Sequence, residues 1–329
     1  MTPLAPHLAA FLREHLPRDR GCSHHTCESY AYAFQLLVCF AADRHGTSPS
    51  ALKLEQLDAP LVLAFLEHLE VVRGNSAATR NVRLAAIKSF AHFIEYRLPS
   101  AIDQSRRILA IPAKKTSETL VPFLDHRELQ ALLEAPDPTT RGGCRDRAML
   151  HLGFAAGLRV SELVGLRLQD LRLHPEPCVH VHGKGRRERV LPLWKETTEA
   201  VRAWLDVRAE ATGHELFLNA RSRPMTRSGF EYILAKHVAA ATDAAPSIAR
   251  KRVSPHVLRH TCAMHVLQAT HDVRKVSLWL GHATMKSTEI YLRADPTEKL
   301  AALNAGAAPA LRAGHFSAPD KLLAMLKER

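Results

Sequence analysis

The sequence predicts a mainly α-helical protein of two domains with one small antiparallel β-sheet, and three features of its patterning lead there. Apolar residues recur at three- and four-residue steps through most of the chain. Strict alternation is confined to residues 178–193. The helical periodicity breaks at residues 98–121, where prolines and polar residues take over. A length of 329 residues suits about two domains, each with a core of its own.

Taken in order, the opening "MTPLAPHLAAFLREH" has no basic leader and no long apolar run, so no secretory signal is expected. Residues 26–45 carry Tyr30, Phe34, Leu37, Val38 and Ala41 along one helical face, and the loop "HGTSPS" follows. Residues 55–73 repeat the pattern, as do 76–97 with Val82, Ala85, Ile87, Phe90 and Phe93; Pro99 ends the last helix. Arg80, Arg83 and Lys88 lie between those apolar positions, giving the bundle a basic face suited to phosphates. The predicted organisation is a helical domain over 1–98, a linker over 99–120, an α+β domain over 121–305 and a tail over 306–329. Lys114 and Lys115 place a cationic pair in the linker, within reach of a phosphate backbone.

In the second domain, Asp125 and Glu128 form a capping box that opens a helix. Residues 144–156 form another helix, which Gly157 ends in a left-handed conformation, and Ser161 is expected to cap the next. "CVHVHGKGRRERVLPL" reads as a hairpin with a Gly-Lys-Gly turn. Helices over about 195–211, 226–241 and 255–268 complete the domain, followed by a short helix that carries Tyr291.

Composition narrows the function. A net charge of +12 favours a polyanionic partner. Six cysteines without framework spacing suit a reducing cytoplasm, and no run reaches about 18 apolar residues, so no membrane span is expected. No metal site is expected either. "CSHHTC", residues 22–27, lacks a second ligand pair downstream and reads as a polar helix start. His256 and His260 have zinc-like spacing, but Val257 stands where a zinc protease has its glutamate. "GKG" is not a nucleotide-binding loop, and no cofactor is implied.

Four stretches carry unusual polar residues at the ends of elements. Arg159 in "GLRVSEL" stands at a helix-to-helix junction, with Glu162 placed to hold its guanidinium. Lys184 sits at the hairpin tip, followed by Arg186 and Arg187. In "SPHVLRHTC", Ser254 caps a helix, Pro255 takes its first position, and His256 and Arg259 share the first turn, where free N–H groups favour a phosphate. In "LGHATMKSTEIYLRAD", Gly281 closes a helix, His282 stands in the turn and Tyr291 follows. Together they form a kit for attacking a phosphodiester. The arginines hold non-bridging oxygens, the tyrosine is the nucleophile, and histidine and lysine move protons, without ATP or metal.

This ordered set, Arg159, Lys184, "HVLRH", "LGH" and Tyr291, resembles the tyrosine recombinases, the phage-integrase and Xer group. The resemblance spans nearly the whole chain: residues 1–97 look like the core-binding domain and 120–300 like the catalytic domain. It implies a C-shaped clamp on double-stranded DNA with inverted-repeat sites, and a homo- or hetero-tetramer in synapsis. It further implies that Arg159 and Arg259 clamp the scissile phosphate, His256 assists proton transfer and Lys184 protonates the leaving 5′ oxygen. His282 would hydrogen-bond the phosphate and Tyr291 form a 3′-phosphotyrosyl link, with Glu162 and His260 as supports. Arg80, Arg83, Lys88, Lys114, Lys115, Arg186 and Arg187 are the expected DNA contacts, in a nucleoid-associated cytoplasmic protein.

The sequence departs from the Xer pattern in "LRADPTEKL" after Tyr291 and in a tail ending "APDKLLAMLKER", whose leucines Leu322, Leu323 and Leu326 form one face of a docking helix. Both departures favour the integrase or transposase of a mobile element. Xer-type dimer resolution, type IB topoisomerase-like cleavage, a non-catalytic DNA-binding regulator and a metal-dependent nuclease remain the alternatives.

Overall fold

The computed structural model describes residues 2–116, 122–183, 188–208, 214–281 and 288–294. The expectations for Lys184, Arg186, Arg187, His282 and the tail fall outside these residues. The chain divides into two compact units, Met1–Glu118 and Thr119–Arg329. Among the described residues, no helix is long and apolar enough to cross a membrane.

The first unit is helical. Helix α1 (Leu4–Ala10) continues into a π-helical stretch, Phe11–Asp19. Ser23 caps α2 (His24–His45) by accepting from the Thr26 N–H, so "CSHHTC" is a polar helix start. Helix α3 (Ala59–Val71) begins four residues later than the periodicity suggests. The Asp58 carboxylate accepts from the Leu61 N–H at 2.8 Å and fixes the start there, behind a 3-10 turn at Leu54–Gln56. Helix α4 (Ala77–Arg97) buries Leu84, Ile87, Phe90, Phe93 and Ile94. Val82 and Ala85, expected inside, lie on the adjacent face and are exposed. Phe11, Phe34 and Phe90 pack edge to face at the centre of this core, with centroids 5.3–5.9 Å apart.

The expected linker begins later than residue 99. Residues 99–101 make a 3-10 turn and α5 (Ile102–Leu109) packs on the bundle. Ile108 and Ile111 are buried, and the Gln104 side chain donates to the Leu54 and Leu57 carbonyls at 2.7 and 2.8 Å. Two isoleucines and one amide anchor a segment too short to show a helical period.

In the second unit, Asp125 and Glu128 cap α6 (His126–Glu134) reciprocally, each accepting the other's N–H at 2.9 Å. Helix α7 (Arg141–Ala155) is buried along most of its length and is the central strut of this core. Gly157 follows with φ +54; a Cβ there would meet Leu280 Cδ2 at 2.6 Å. The cap of α8 (Val160–Val164) is Arg159, not Ser161: its backbone is extended, and Glu162 reaches back to its N–H. A 3-10 turn at Leu168–Asp170 leads to a three-stranded antiparallel sheet, β1 (Leu171–Arg172), β2 (Cys178–His182) and β3 (Glu188–Pro192), in that order. In β2, Val179 and Val181 face the core while His180 and His182 face outward, and His182 pairs with Glu188. Helices α9 (Lys195–Val207), α10 (Arg227–Ala241), α11 (Pro255–Thr270), α12 (Val273–Leu280) and α13 (Glu289–Ala294) complete the unit. Gly281, at φ +62, turns the chain after α12.

Candidate active site

Glu162, on α8, is buried, and three arginines converge on it. Arg159 Nη1 donates to its Oε1 at 2.8 Å. Arg189, from β3, donates to both oxygens at 3.2 and 2.8 Å. Arg259, in the second turn of α11, lies 3.8 Å from Oε2 and donates to the carbonyls of Gly157 and Leu280. Among the described residues, three guanidiniums face this one carboxylate, an excess of positive charge that suits a phosphate site. Burial raises the Glu162 carboxyl, but hydrogen bonds from Arg189 and the Arg159 backbone outweigh it and hold the group below the usual carboxylate range. Burial, then the Arg159 charge, push Arg259 down to about 10, which leaves it protonated at neutral pH.

Arg189 is a site residue that motif reading missed. Its signal was available: on a strand that turns Leu191 inward, the residue two positions earlier shares that face. Its packing against Gly281 also shows why glycine stands there, because an added Cβ would lie 3.1 Å from Arg189 Cδ.

Tyr291, on α13, is only 2 % exposed. Its hydroxyl lies 2.8 Å from His260 Nδ1. Burial pushes the phenol up to about 12, against the opposing charge of Arg259. Burial and the neighbouring His256 and Arg259 push His260 down to about 4, so its imidazole is neutral at pH 7. The histidine touching the tyrosine is therefore His260, one turn beyond the exposed His256. The structure thus brings Arg159, Glu162, Arg259, His260 and Tyr291 together, and adds Arg189.

Residues 122–298 match the phage integrase family, and residues 8–97 match the phage integrase N-terminal SAM-like domain. The chain belongs to the phage integrase family of tyrosine recombinases. It is an enzyme that cleaves and rejoins DNA strands through a covalent tyrosine intermediate. The recombinase is 42 % identical to the Sinorhizobium fredii protein y4rC, named as an integrase/recombinase, over 98 % of this chain and 97 % of that one. It is 36 % identical to a tyrosine recombinase XerC of Pelobacter propionicus, over 88 % of this chain and 91 % of that one. Among solved structures, the Tn1549 transposon integrase in complex with transposon right-end DNA has the same fold, with a TM-score of 0.68 at 18 % identity. That match covers 90 % of this chain and 98 % of the other.

The expected DNA contacts in the first unit fare unevenly. Arg80 is 5 % exposed, donates to the Pro112 carbonyl at 3.0 Å and lies 3.9 Å from Glu70, so it holds the recombinase's own backbone. Lys114 donates to both Glu70 oxygens at 3.0 and 2.8 Å, which offsets its charge locally. Arg83 donates to the Ser29 carbonyl and covers the Tyr32 ring. Lys88 is half-buried and Lys115 is exposed.

Proposed function

We propose that Tyr291 is the nucleophile and that the recombinase is the integrase or transposase of a mobile element. The observation that carries the first part is the Tyr291–His260 hydrogen bond beside Arg259 and the arginine-rich site around Glu162. With the phenol at about 12, only about one molecule in 10⁵ is ionised at pH 7, so the attack needs a base. In the proposed step the Tyr291 oxygen bonds to the scissile phosphorus while His256 takes its proton, and His260, too weak a base at about 4 to hold that proton, orients the hydroxyl through its hydrogen bond. The bond to the 5′ oxygen breaks, and that oxygen takes a proton from Lys184. Arg159 and Arg259, with Arg189 beside them, compensate the charge that grows on the non-bridging oxygens, and His282 donates to one of them. Glu162 keeps the arginines in place. Attack by a 5′ hydroxyl on the phosphotyrosine reverses each transfer and reseals the strand.

The mobile-element role is supported by the segment after Tyr291 and by the fuller match to y4rC than to XerC, 42 % over 98 % of the chain against 36 % over 88 %. In this role the recombinase acts on double-stranded DNA with inverted-repeat sites, as a tetramer, in the cytoplasm on the nucleoid. No metal takes part in the chemistry. A nicked suicide duplex bearing the element's inverted repeats should trap a covalent protein–DNA adduct in excess chelator. Cleavage without any adduct, lost in chelator and restored by a divalent ion, would favour a metal-dependent nuclease.

A further inference from the structure

We propose that His180, His182 and Glu188 form a binding site for a zinc-like divalent cation that ties the two strands of the hairpin together. One donor atom from each residue lies within 4.8 Å of the others. His180 Nε2 is 3.0 Å from Glu188 Oε2, and His182 Nδ1 is 3.2 Å from Oε1. Both are hydrogen-bond lengths to different oxygens of one carboxylate, so small side-chain shifts would bring one donor from each residue to the spacing of about 3.3 Å that tetrahedral zinc imposes with bonds near 2.0–2.1 Å. Neutral imidazoles and a carboxylate are the ligand types that zinc and its neighbours in the first transition row take.

A second observation points the same way. Asp170 is 6 % exposed and pinned, with one carboxylate oxygen accepting from the Arg167 N–H at 2.8 Å. Its other oxygen lies 3.3 Å from His182 Nε2. A carboxylate at one ring nitrogen keeps the proton there and turns the lone pair of the other outward, the arrangement found behind metal-bound histidines. His182 Nδ1 lies 3.2 Å from Glu188 Oε1, so a ring that carries its proton on Nε2 presents a lone pair to a second acceptor. Two acceptors at this distance repel unless a cation lies between them, and a proton or a metal ion meets that need. The His24, His25 and Glu28 group offers the same ligand types on one helix, but there no buried carboxylate is shown behind a histidine, and the histidine side chains are 84 and 95 % exposed.

The register explains the consequence. His182 and Glu188 are the last pair of the β2–β3 ladder before the connection whose second residue is Lys184. An ion held by His182 adds positive charge two residues in sequence from Lys184, a consequence that rests on the assignment of Lys184 as proton donor. Zinc should therefore slow strand cleavage while leaving DNA binding in place.

The test titrates the tag-free full-length protein with Zn²⁺ by calorimetry, and with Co²⁺ by visible absorption. One site with tetrahedral Co²⁺ bands is expected. His180→Ala/His182→Ala should abolish it, and Asp170→Asn should weaken it by about 10–100-fold. Tyr291→Phe should bind like the wild type, so the metal measurement stands whether or not the nucleophile is correctly assigned. Zinc should slow adduct formation by the wild type and not by the double variant. Unchanged binding in the double variant, loss of binding only in His24→Ala/His25→Ala, or no measurable site at all would overturn the proposal. A wild-type cleavage rate unaffected at saturating zinc would overturn its effect on Lys184.

Discussion

The carboxylate of Glu162 acts both as a counter-ion and as a backbone cap, because it neutralises part of the arginine cluster and accepts the N–H of Arg159. Those contacts aim Arg159 at the site and hold it before any phosphate arrives. The role proposed for Lys184 is separable. Expulsion of an alkoxide from a phosphodiester needs a proton, so Lys184→Ala should slow cleavage by about 10²–10⁴-fold. Replacing the bridging 5′ oxygen by sulfur supplies a leaving group that departs without help, and most of that defect should vanish on such a substrate. Arg159→Ala should stay impaired there, because the role proposed for its charge is at the non-bridging oxygens. Equal rescue of both variants, measured as single-turnover cleavage rates, would reduce Lys184 to a DNA anchor.

At the scale of elements, the site is assembled from four chain segments that meet around two tight turns. Gly157 joins α7 to α8 at φ +54, and Leu280 and Cys262 leave no room for a side chain. Gly157→Ala combines left-handed strain with that clash and should cost about 1–3 kcal/mol, read as a lower melting temperature. An unchanged melting temperature would show that the turn tolerates a Cβ. The sequence made this turn legible, as it did the Asp125–Glu128 box and the hairpin, because caps and turns are local chemistry. Arg189 escaped notice because its role comes from tertiary proximity to Glu162, although strand alternation pointed inward. Helix α5 was hidden by its shortness, and β1 by having two residues. Arg80 looked like a surface cation because periodicity cannot tell that Pro112 and Glu70 would cover it.

For the whole molecule, a net charge of +12 acts on a polyanion through counterion release. Affinity for a duplex site should therefore fall linearly in log K against log salt, with a slope of about −0.9 for each phosphate contacted. A flat plot would argue against phosphate contacts as the main source of affinity. The proposal that Tyr291 is the nucleophile rests on its burial beside the arginines that crowd Glu162. The most direct measurement compares wild type and Tyr291→Phe on a nicked suicide duplex, reading DNA affinity and covalent adduct together. Near-wild-type affinity with no adduct is the predicted result, and a covalent adduct formed by the phenylalanine variant would contradict the assignment of Tyr291 as nucleophile.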